Sequence, residues 1–182
     1  MKNNENFNEF IAYAIKILQP YDGICPTGCC ACEQHESIIL IPGEEIFHCY
    51  SKEAVNSFRT DKNGIIYQEG ADGFCPFYQD QDGHCANYNS RPIDCRMFPL
   101  FPIFEVEERG FRIARAGVYC PIHDDIKDSF LRDVTEICSL LNMLMDNNWK
   151  SRYNELNKIH TSDIGAQFVT SLIGTKESLY TS

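Results

Sequence analysis

Apolar residues recur at helical spacing near both ends of the chain. Those of residues 5–18 stand three and four positions apart and stop before Pro20: Phe7, Phe10, Ile11, Ala14, Ile15 and Leu18. A second stripe with the same spacing follows later: Ile126, Phe130, Val134, Ile137, Leu141 and Leu144. One apolar face per helix is typical of helices packed on a core. The pattern predicts amphipathic helices over 5–18 and over about 124–157.

Between these helices, short apolar runs and turn residues predict strands. The β-branched run 37–41 indicates a buried strand, and the acids after Pro42 favour a helix start at 42–45. Residues 61–64 form a turn signal before a hairpin strand at 65–67. Two further strands are predicted around the turn 107–110, the second reaching Cys120 before Pro121 ends it. The fold class expected from this order is α+β, a small loop-rich domain with amphipathic helices at both ends.

A short helix is predicted inside the loop-rich middle. Ser90 can cap it, Pro92 suits its first turn, and Pro99 ends it beyond Cys95. Cys95 would therefore lie on a rigid element.

Length and composition favour a single globular domain. The chain has 182 residues, of which 43% are hydrophobic and 23% are charged, which is ordinary for a protein with a core. We expect one domain over 1–160, with a motif core at 22–122. Residues 161–182 are polar and small, and they are expected to form a poorly ordered tail.

The charge balance restricts the partners. The formal net charge is −10, whereas binding to nucleic acid needs clustered Lys and Arg. The same charge disfavours an anionic membrane surface, and no segment has the apolar length of a signal peptide or a membrane span. The expected location is the cytoplasm and the expected partners are metal ions, with a protein partner left open.

Ten cysteines are far more than such a chain needs for packing. In a reducing cytoplasm, dense cysteine is typical of metal-binding or catalytic sites rather than disulfides. The even number leaves a secreted disulfide scaffold as the alternative.

The cysteines fall into groups separated by turn-forming residues. Cys75, Cys85 and Cys95 are equally spaced, with nine residues in each gap, and four more stand within eight residues upstream: Cys25, Cys29, Cys30 and Cys32. Thiolates meeting at a metal would hold such loops, since structural zinc contributes on the order of 10–16 kcal/mol to folding. Zinc takes four such ligands, and iron–sulfur clusters also take cysteine sulfurs.

Three segments, GFCPF, DGHCANY and RPIDCRMFP, resemble the YkgJ-type cysteine-cluster family of zinc- or iron-chelating domains. The resemblance extends to the upstream group and to Cys120–Pro121, covering roughly residues 22–122. The family usually has the spacing C-x-x-C-x-x-C-C, whereas this chain has C-x-x-x-C-C-x-C. The choice between Cys30 and Cys32 as a ligand is therefore left open.

The predicted ligands of zinc or of iron, with an iron–sulfur cluster among the options, are Cys25, Cys29, Cys30, Cys75, Cys85, Cys95 and Cys120, with Cys32 as an eighth. All-sulfur ligation selects these metals over magnesium or calcium. Cys138 lies in the apolar stripe and is expected to be a buried, inert thiol, while Cys49 suits either role. His84 and His123 could complete a mixed site.

Two arginines flank Cys95. Arg91 and Arg96 are predicted to bind at the metal site, because a guanidinium favours an ionised thiolate and can donate hydrogen bonds to sulfur. The alternative is that both form surface ion pairs.

Three functions fit these features. The first is metal chelation by the cysteine cluster. The second is a metal-dependent or redox enzyme with an open coordination position lined by Tyr88, Arg91 or His84. The resemblance implies a remote relation of such an enzyme to protein lysine methylases that use S-adenosylmethionine, since a branch of the family includes them, although no glycine-rich nucleotide turn is present. The third is an interaction module whose metal only stabilises the fold.

Overall fold

The structure is a computed structural model, and it describes residues 2–18, 38–44, 58–68, 78–79, 84–85, 91–115, 126–157 and 167–174. These residues form α-helices and antiparallel sheets, so the predicted α+β class is confirmed.

The helices are α1 (Lys2–Ile17), α2 (Ile93–Met97), α3 (Asp128–Leu144) and α4 (Asn147–Leu156). Helix α1 buries Phe10, Ile11 and Ala14, and α3 buries Val134 and Ile137, which confirms both predicted apolar stripes. Within the described ranges, no helix has the length and apolar character needed to cross a membrane.

The prediction of one C-terminal helix over about 124–157 is wrong, because α3 and α4 are separate helices. Met145 and Asp146 between them adopt extended backbone angles. The Asp146 carboxylate accepts a hydrogen bond from the Trp149 N–H at 2.8 Å and so begins α4. Aspartate satisfies the first N–H groups of a helix better than it tolerates the helix interior, and it therefore favours a new start here.

The first sheet consists of β1 (Ile38–Ile39), β2 (Phe58–Thr60) and β3 (Ile66–Gln68) in the order β1-β3-β2. Asp61 stabilises the turn between β2 and β3 by accepting hydrogen bonds from the N–H groups of Asn63 and Ile65. Of the predicted strands, the one at 37–41 is confirmed at Ile38–Ile39 and the one at 65–67 at Ile66–Gln68. Of the predicted helix start at 42–45, the structure describes 42–44, and residues 42–43 form a turn.

A short hairpin of β4 (Tyr78–Gln79) and β5 (His84–Cys85) precedes α2, and a longer one follows it. In the longer hairpin, β6 (Leu100–Glu105) and β7 (Gly110–Arg115) pair from Leu100 with Arg115 to Glu105 with Gly110. Both predicted strands are confirmed up to Arg115, and the expected continuation to Cys120 lies outside the described residues.

The expectation of a poorly ordered tail is wrong for residues 167–174. This segment forms β8 (Gln167–Phe168) and β9 (Ile173–Gly174), which both pair with β7. The physical reason is that the second edge of β7 carries backbone groups that need partners. Gly110 allows the approach, since a Cβ there would lie 2.7 Å from the Ile173 carbonyl oxygen.

The core lies between the helices and the β6–β7 sheet. Phe104 of β6 contacts two aromatic rings of α4 edge-on: Trp149 at a centroid distance of 6.0 Å and Tyr153 at 5.5 Å. Ile93 and Met97 of α2 belong to the same cluster as the buried residues of α1 and α3. Helix α2 is therefore packed on the main core rather than displayed on a loop.

Candidate metal centre

Most predicted ligands lie outside the described residues: Cys25, Cys29, Cys30, Cys32, Cys75 and Cys120. Cys49, Tyr88 and His123 lie outside them as well. His84 and Cys85 are placed as backbone in β5, and Cys95 is half-buried in α2. In the part of the chain that the structure describes, no three His, Cys, Asp or Glu side chains form a metal-binding group. The described part of the candidate site is therefore α2 with its surroundings, and the ligand set stays a prediction.

Helix α2 cannot be stable by itself, because five residues are far fewer than an isolated helix needs in water. The predicted cap at Ser90 is wrong: the N-cap residue is Pro92, which makes no side-chain capping bond. Instead, Glu44 reaches across the fold, and its Oε1 accepts a hydrogen bond from the Ile93 N–H at 2.6 Å. Its Oε2 accepts from the Ile41 N–H at 2.9 Å, and Glu44 is completely buried.

Asp94 supplies a second carboxylate contact, between α2, β1 and α4. Its Oδ2 accepts from the Ile39 N–H at 3.1 Å, and its Oδ1 accepts from the Tyr153 hydroxyl at 2.7 Å. Burial raises the pKa of Asp94 to about 6, although these two hydrogen bonds act in the opposite direction, and the nearby Glu44 adds to the rise. The two bonds offset part of the cost of removing a carboxylate from water.

Arg96 joins α2 to the end of α1. Its side chain is only 5% exposed, and its guanidinium donates to the backbone carbonyl oxygens of Arg91 at 2.8 Å and Leu18 at 3.1 Å. A planar guanidinium can make two such bonds in fixed directions. These bonds give Arg96 a clear structural role. The predicted contacts of Arg91 and Arg96 with sulfur or metal stay predictions.

Cys138 lies beneath α2 in the core. It is completely buried in α3, and its Sγ is 3.8 Å from the Sδ of Met97. Burial raises the pKa of the Cys138 thiol well above its ordinary value. The prediction of a buried thiol is therefore confirmed. Cys95 and Cys138 are both thiols rather than halves of a disulfide.

Sequence reasoning missed the buried polar contacts around α2. It interpreted Glu44 as an acid in the first turn of a helix, and it gave no role to Asp94 or Tyr153. The only local signal was the position of Asp94 beside Cys95 in RPIDCR. The partners stand 49 residues from Ile93 and 59 residues from Asp94, and no local pattern connects them.

Comparison with known protein families gives a match that includes α2 and the cysteine groups. The CxxCxxCC family model, described as "Putative zinc- or iron-chelating domain", matches residues 22–139. No curated protein and no solved structure matched the chain. The matched segment contains all eight predicted cysteine ligands together with α2 and the β6–β7 hairpin. Because the match covers more than half of the chain, the chain belongs to the CxxCxxCC family of zinc- or iron-chelating domains.

Proposed function

We propose that this protein chelates zinc or iron through cysteine thiolates from four parts of the chain, with Cys95 of α2 as a rigidly held ligand. The observation that carries the proposal is the attachment of the chain around these cysteines. On both sides of the first cysteine group the described backbone is hydrogen-bonded to α2, and β7, which precedes Cys120, pairs with β6, which follows α2.

The first cysteine group stands between two attachments to α2. The Leu18 carbonyl accepts from Arg96, and the Ile39 N–H donates to Asp94. Cys25 follows Leu18 by seven residues, and Cys32 precedes Ile39 by seven. Seven residues span at most about 25 Å. The described residues on the two sides of this cysteine group are therefore hydrogen-bonded to Arg96 and Asp94, the two neighbours of Cys95. This arrangement favours thiolates that meet near Cys95.

The β6–β7 register supports a similar relation for Cys120. Leu100 pairs with Arg115 at one end of the hairpin. Cys95 precedes Leu100 by five residues, and Cys120 follows Arg115 by five. Five residues reach at most about 18 Å, which allows Cys120 to lie at the same end of the sheet as Cys95.

The β4–β5 hairpin relates two further cysteines. Tyr78 pairs with Cys85, and Cys75 precedes Tyr78 by three residues, a span of at most about 11 Å. Covalent geometry thus keeps Cys75 close to the strand that carries Cys85. Cys85 is in turn separated from Cys95 by nine residues.

The chemistry of the donors fits zinc or sulfur-bound iron. Thiolates are soft ligands that select these metals, and a cation would neutralise part of the negative charge that several thiolates create. The Cys95 thiol is half-buried on a helix whose neighbouring residues are hydrogen-bonded to the core. This is the arrangement expected of a ligand that must stay within a few tenths of an ångström of its place.

The test is anaerobic purification of the full chain, followed by metal analysis and a visible spectrum. Zinc would give a colourless protein, whereas sulfur-bound iron would give broad visible absorption. Cys95→Ser and Cys85→Ser should lose bound metal. Cys138→Ser is the matched control and should retain it, because its thiol lies in the core.

Circular dichroism on the same samples separates loss of metal from loss of fold. A folded wild-type protein without metal, whose stability does not change with a chelator, would contradict the proposal. Wild-type metal content in both folded ligand variants would contradict it equally.

A further inference from the structure

The carboxylates of Asp94 and Glu44 lie along one edge of β1 and of residues 40–41, which follow it. On the other side, this segment bonds to β3, where the Leu40 N–H donates to the Ile66 carbonyl at 2.9 Å. The N–H groups of Ile39 and Ile41 face the opposite way and donate to Asp94 and Glu44. The carboxylates thus stand where another strand would supply carbonyl oxygens.

We propose that Glu44 and Asp94 are positioning residues of the metal site, which set the place of the Cys95 helix relative to the first cysteine group. This inference rests on the proposed function. It assigns to both residues an effect on metal affinity and metal geometry, in addition to their effect on stability.

The hydrogen bonds of the two carboxylates join α2 to β1 and to the residues that follow β1. Glu44 binds the start of α2 through Ile93 and the chain after β1 through Ile41. Asp94 binds β1 itself, and β1 begins six residues after Cys32. A movement of α2 along this edge would displace Cys95 relative to the exit of the first cysteine group.

Asp94 also has a fixed partner on the far side of α2. Tyr153 of α4 donates its hydroxyl proton to Asp94, and its ring stacks on Trp149 at a centroid distance of 5.0 Å. Tyr153 is only 1% exposed, so the ring has little freedom to follow a displaced carboxylate. Helix α2 is therefore held between β1 and α4 by one side chain next to Cys95.

Carboxylates are a costly way to hold a helix unless their position matters. Enclosing a charged group is expensive even when it is hydrogen-bonded, and apolar side chains of similar volume often stabilise a fold as well or better. Four directed hydrogen bonds, however, specify a position in a way that apolar contacts do not. A thiolate ligand needs such a specification, because metal–sulfur distances tolerate errors of only about 0.2 Å.

The experiment compares amide substitutions in the full chain under anaerobic conditions. Glu44→Gln and Asp94→Asn each replace one accepting oxygen by an N–H₂ group, which cannot accept the original bond. The matched control is Asp61→Asn, since the Asp61 carboxylate also accepts two backbone N–H bonds but lies in the β2–β3 turn. Zn²⁺ affinity is measured by competition with a chelator, and ligand geometry by the absorption spectrum of Co²⁺-loaded protein.

We expect Glu44→Gln and Asp94→Asn to weaken Zn²⁺ binding by about 10- to 100-fold, the usual effect of losing a group that orients a ligand. We expect both to change the sulfur-to-cobalt absorption band. Asp61→Asn should leave affinity and spectrum unchanged. The readouts refer to folded protein, whose fraction is measured by circular dichroism. If Glu44→Gln does not fold, Glu44→Asp keeps both accepting oxygens and shortens the side chain by one methylene.

Two results would overturn the inference in distinguishable ways. If wild type binds Zn²⁺ through Cys95 and the folded Glu44 and Asp94 variants match it in affinity and spectrum, the positioning role is wrong and the proposed function stands. If wild type and Asp61→Asn bind no metal, the proposed function fails and the inference fails with it.

Discussion

Helices α2 and α3 lie in contact through Met97 and Cys138, but different forces form them. Helix α3 has 17 residues, and all of its buried residues except Asn142 are apolar. Helix α2 has five residues, and hydrogen bonds from Glu44, Asp94 and Arg96 hold it. The candidate ligand Cys95 is therefore on an element that distant polar contacts hold in addition to its buried Ile93 and Met97.

The two cysteines in these helices show the same difference. Cys138 has no exposed surface, and burial raises the pKa of its thiol, which suits an inert core residue. Cys95 is half-buried on a helix flanked by Arg91 and Arg96. Cysteine content alone does not distinguish these two environments, whereas the surrounding contacts do.

The largest effect is expected from a cavity in the apolar helix. Ile137→Ala in α3 should lower the free energy of unfolding by about 2–5 kcal/mol, because Ile137 is completely buried. Urea unfolding measures the loss. Met143→Ala on the same helix is the control and should change stability by no more than about 0.5 kcal/mol, since Met143 is 60% exposed. Equal losses would show that α3 is not held by its apolar face.

A smaller loss is expected from the polar attachment of α2. Arg96→Lys keeps the positive charge but lacks the planar fork that reaches Leu18 and Arg91 together. The expected destabilisation is about 1–3 kcal/mol, also measured by urea unfolding. Arg59→Lys is the control, because the Arg59 contact with the Phe58 carbonyl is exposed. Unchanged stability in Arg96→Lys would mean that the α1–α2 attachment is not needed.

Tyr153→Phe tests a single bond to α2 and should cost about 0.5–1.5 kcal/mol. The ring remains to stack on Trp149, while Asp94 loses the hydroxyl donor at 2.7 Å. Thermal and urea unfolding measure the change. A loss of 3 kcal/mol or more, typical of a disturbed aromatic core, would indicate that the ring moves and that the hydroxyl is not the cause.

The smallest effect is expected far from α2, at Asp61. Burial by itself would raise the pKa of Asp61, but hydrogen bonds from the N–H groups of Ile65 and Asn63 and from Arg152 outweigh it and hold the pKa below its ordinary value. The folded state therefore favours the ionised carboxylate. Its contribution is present above the unfolded pKa of about 3.9, and it is lost as the pH falls through the lower folded value.

Asp61→Asn should accordingly be less stable than wild type by a few tenths of a kcal/mol to about 1 kcal/mol above pH 5. The difference should shrink below about pH 4, where the wild-type carboxyl is protonated. Urea unfolding across this pH range measures it. A difference that grows on acidification would contradict the direction of the pKa shift.

Periodicity predicted the parts of the fold whose stability comes from apolar faces. It predicted α1, α3 and the β6–β7 hairpin, all of which are confirmed. It failed at the break before α4, where the capping side chain of Asp146 interrupts a continuous apolar pattern. It also failed at β8 and β9, because strands of two residues are too short to show a period.

The candidate site, like the fold, could be predicted from the sequence only in part. The cysteine spacing and the resemblance predicted the family, which the match over residues 22–139 confirms. Cys95 is placed on the predicted short helix. Metal binding by all eight cysteines stays a prediction. Glu44, Asp94 and Tyr153 could not be predicted, because hydrogen bonds between residues 49 to 59 positions apart leave no spacing in the sequence.

The sequence by itself determined which segments have an apolar face, where turns interrupt them, and that the cysteines come in separated groups. These are local properties, set by side-chain chemistry and by the periods of helix and strand. Only the tertiary structure decided that two carboxylates meet the N–H groups of Ile39 and Ile93 and thereby hold α2. Such contacts depend on how distant segments pack, since a buried donor takes whichever acceptor the fold brings within hydrogen-bonding distance.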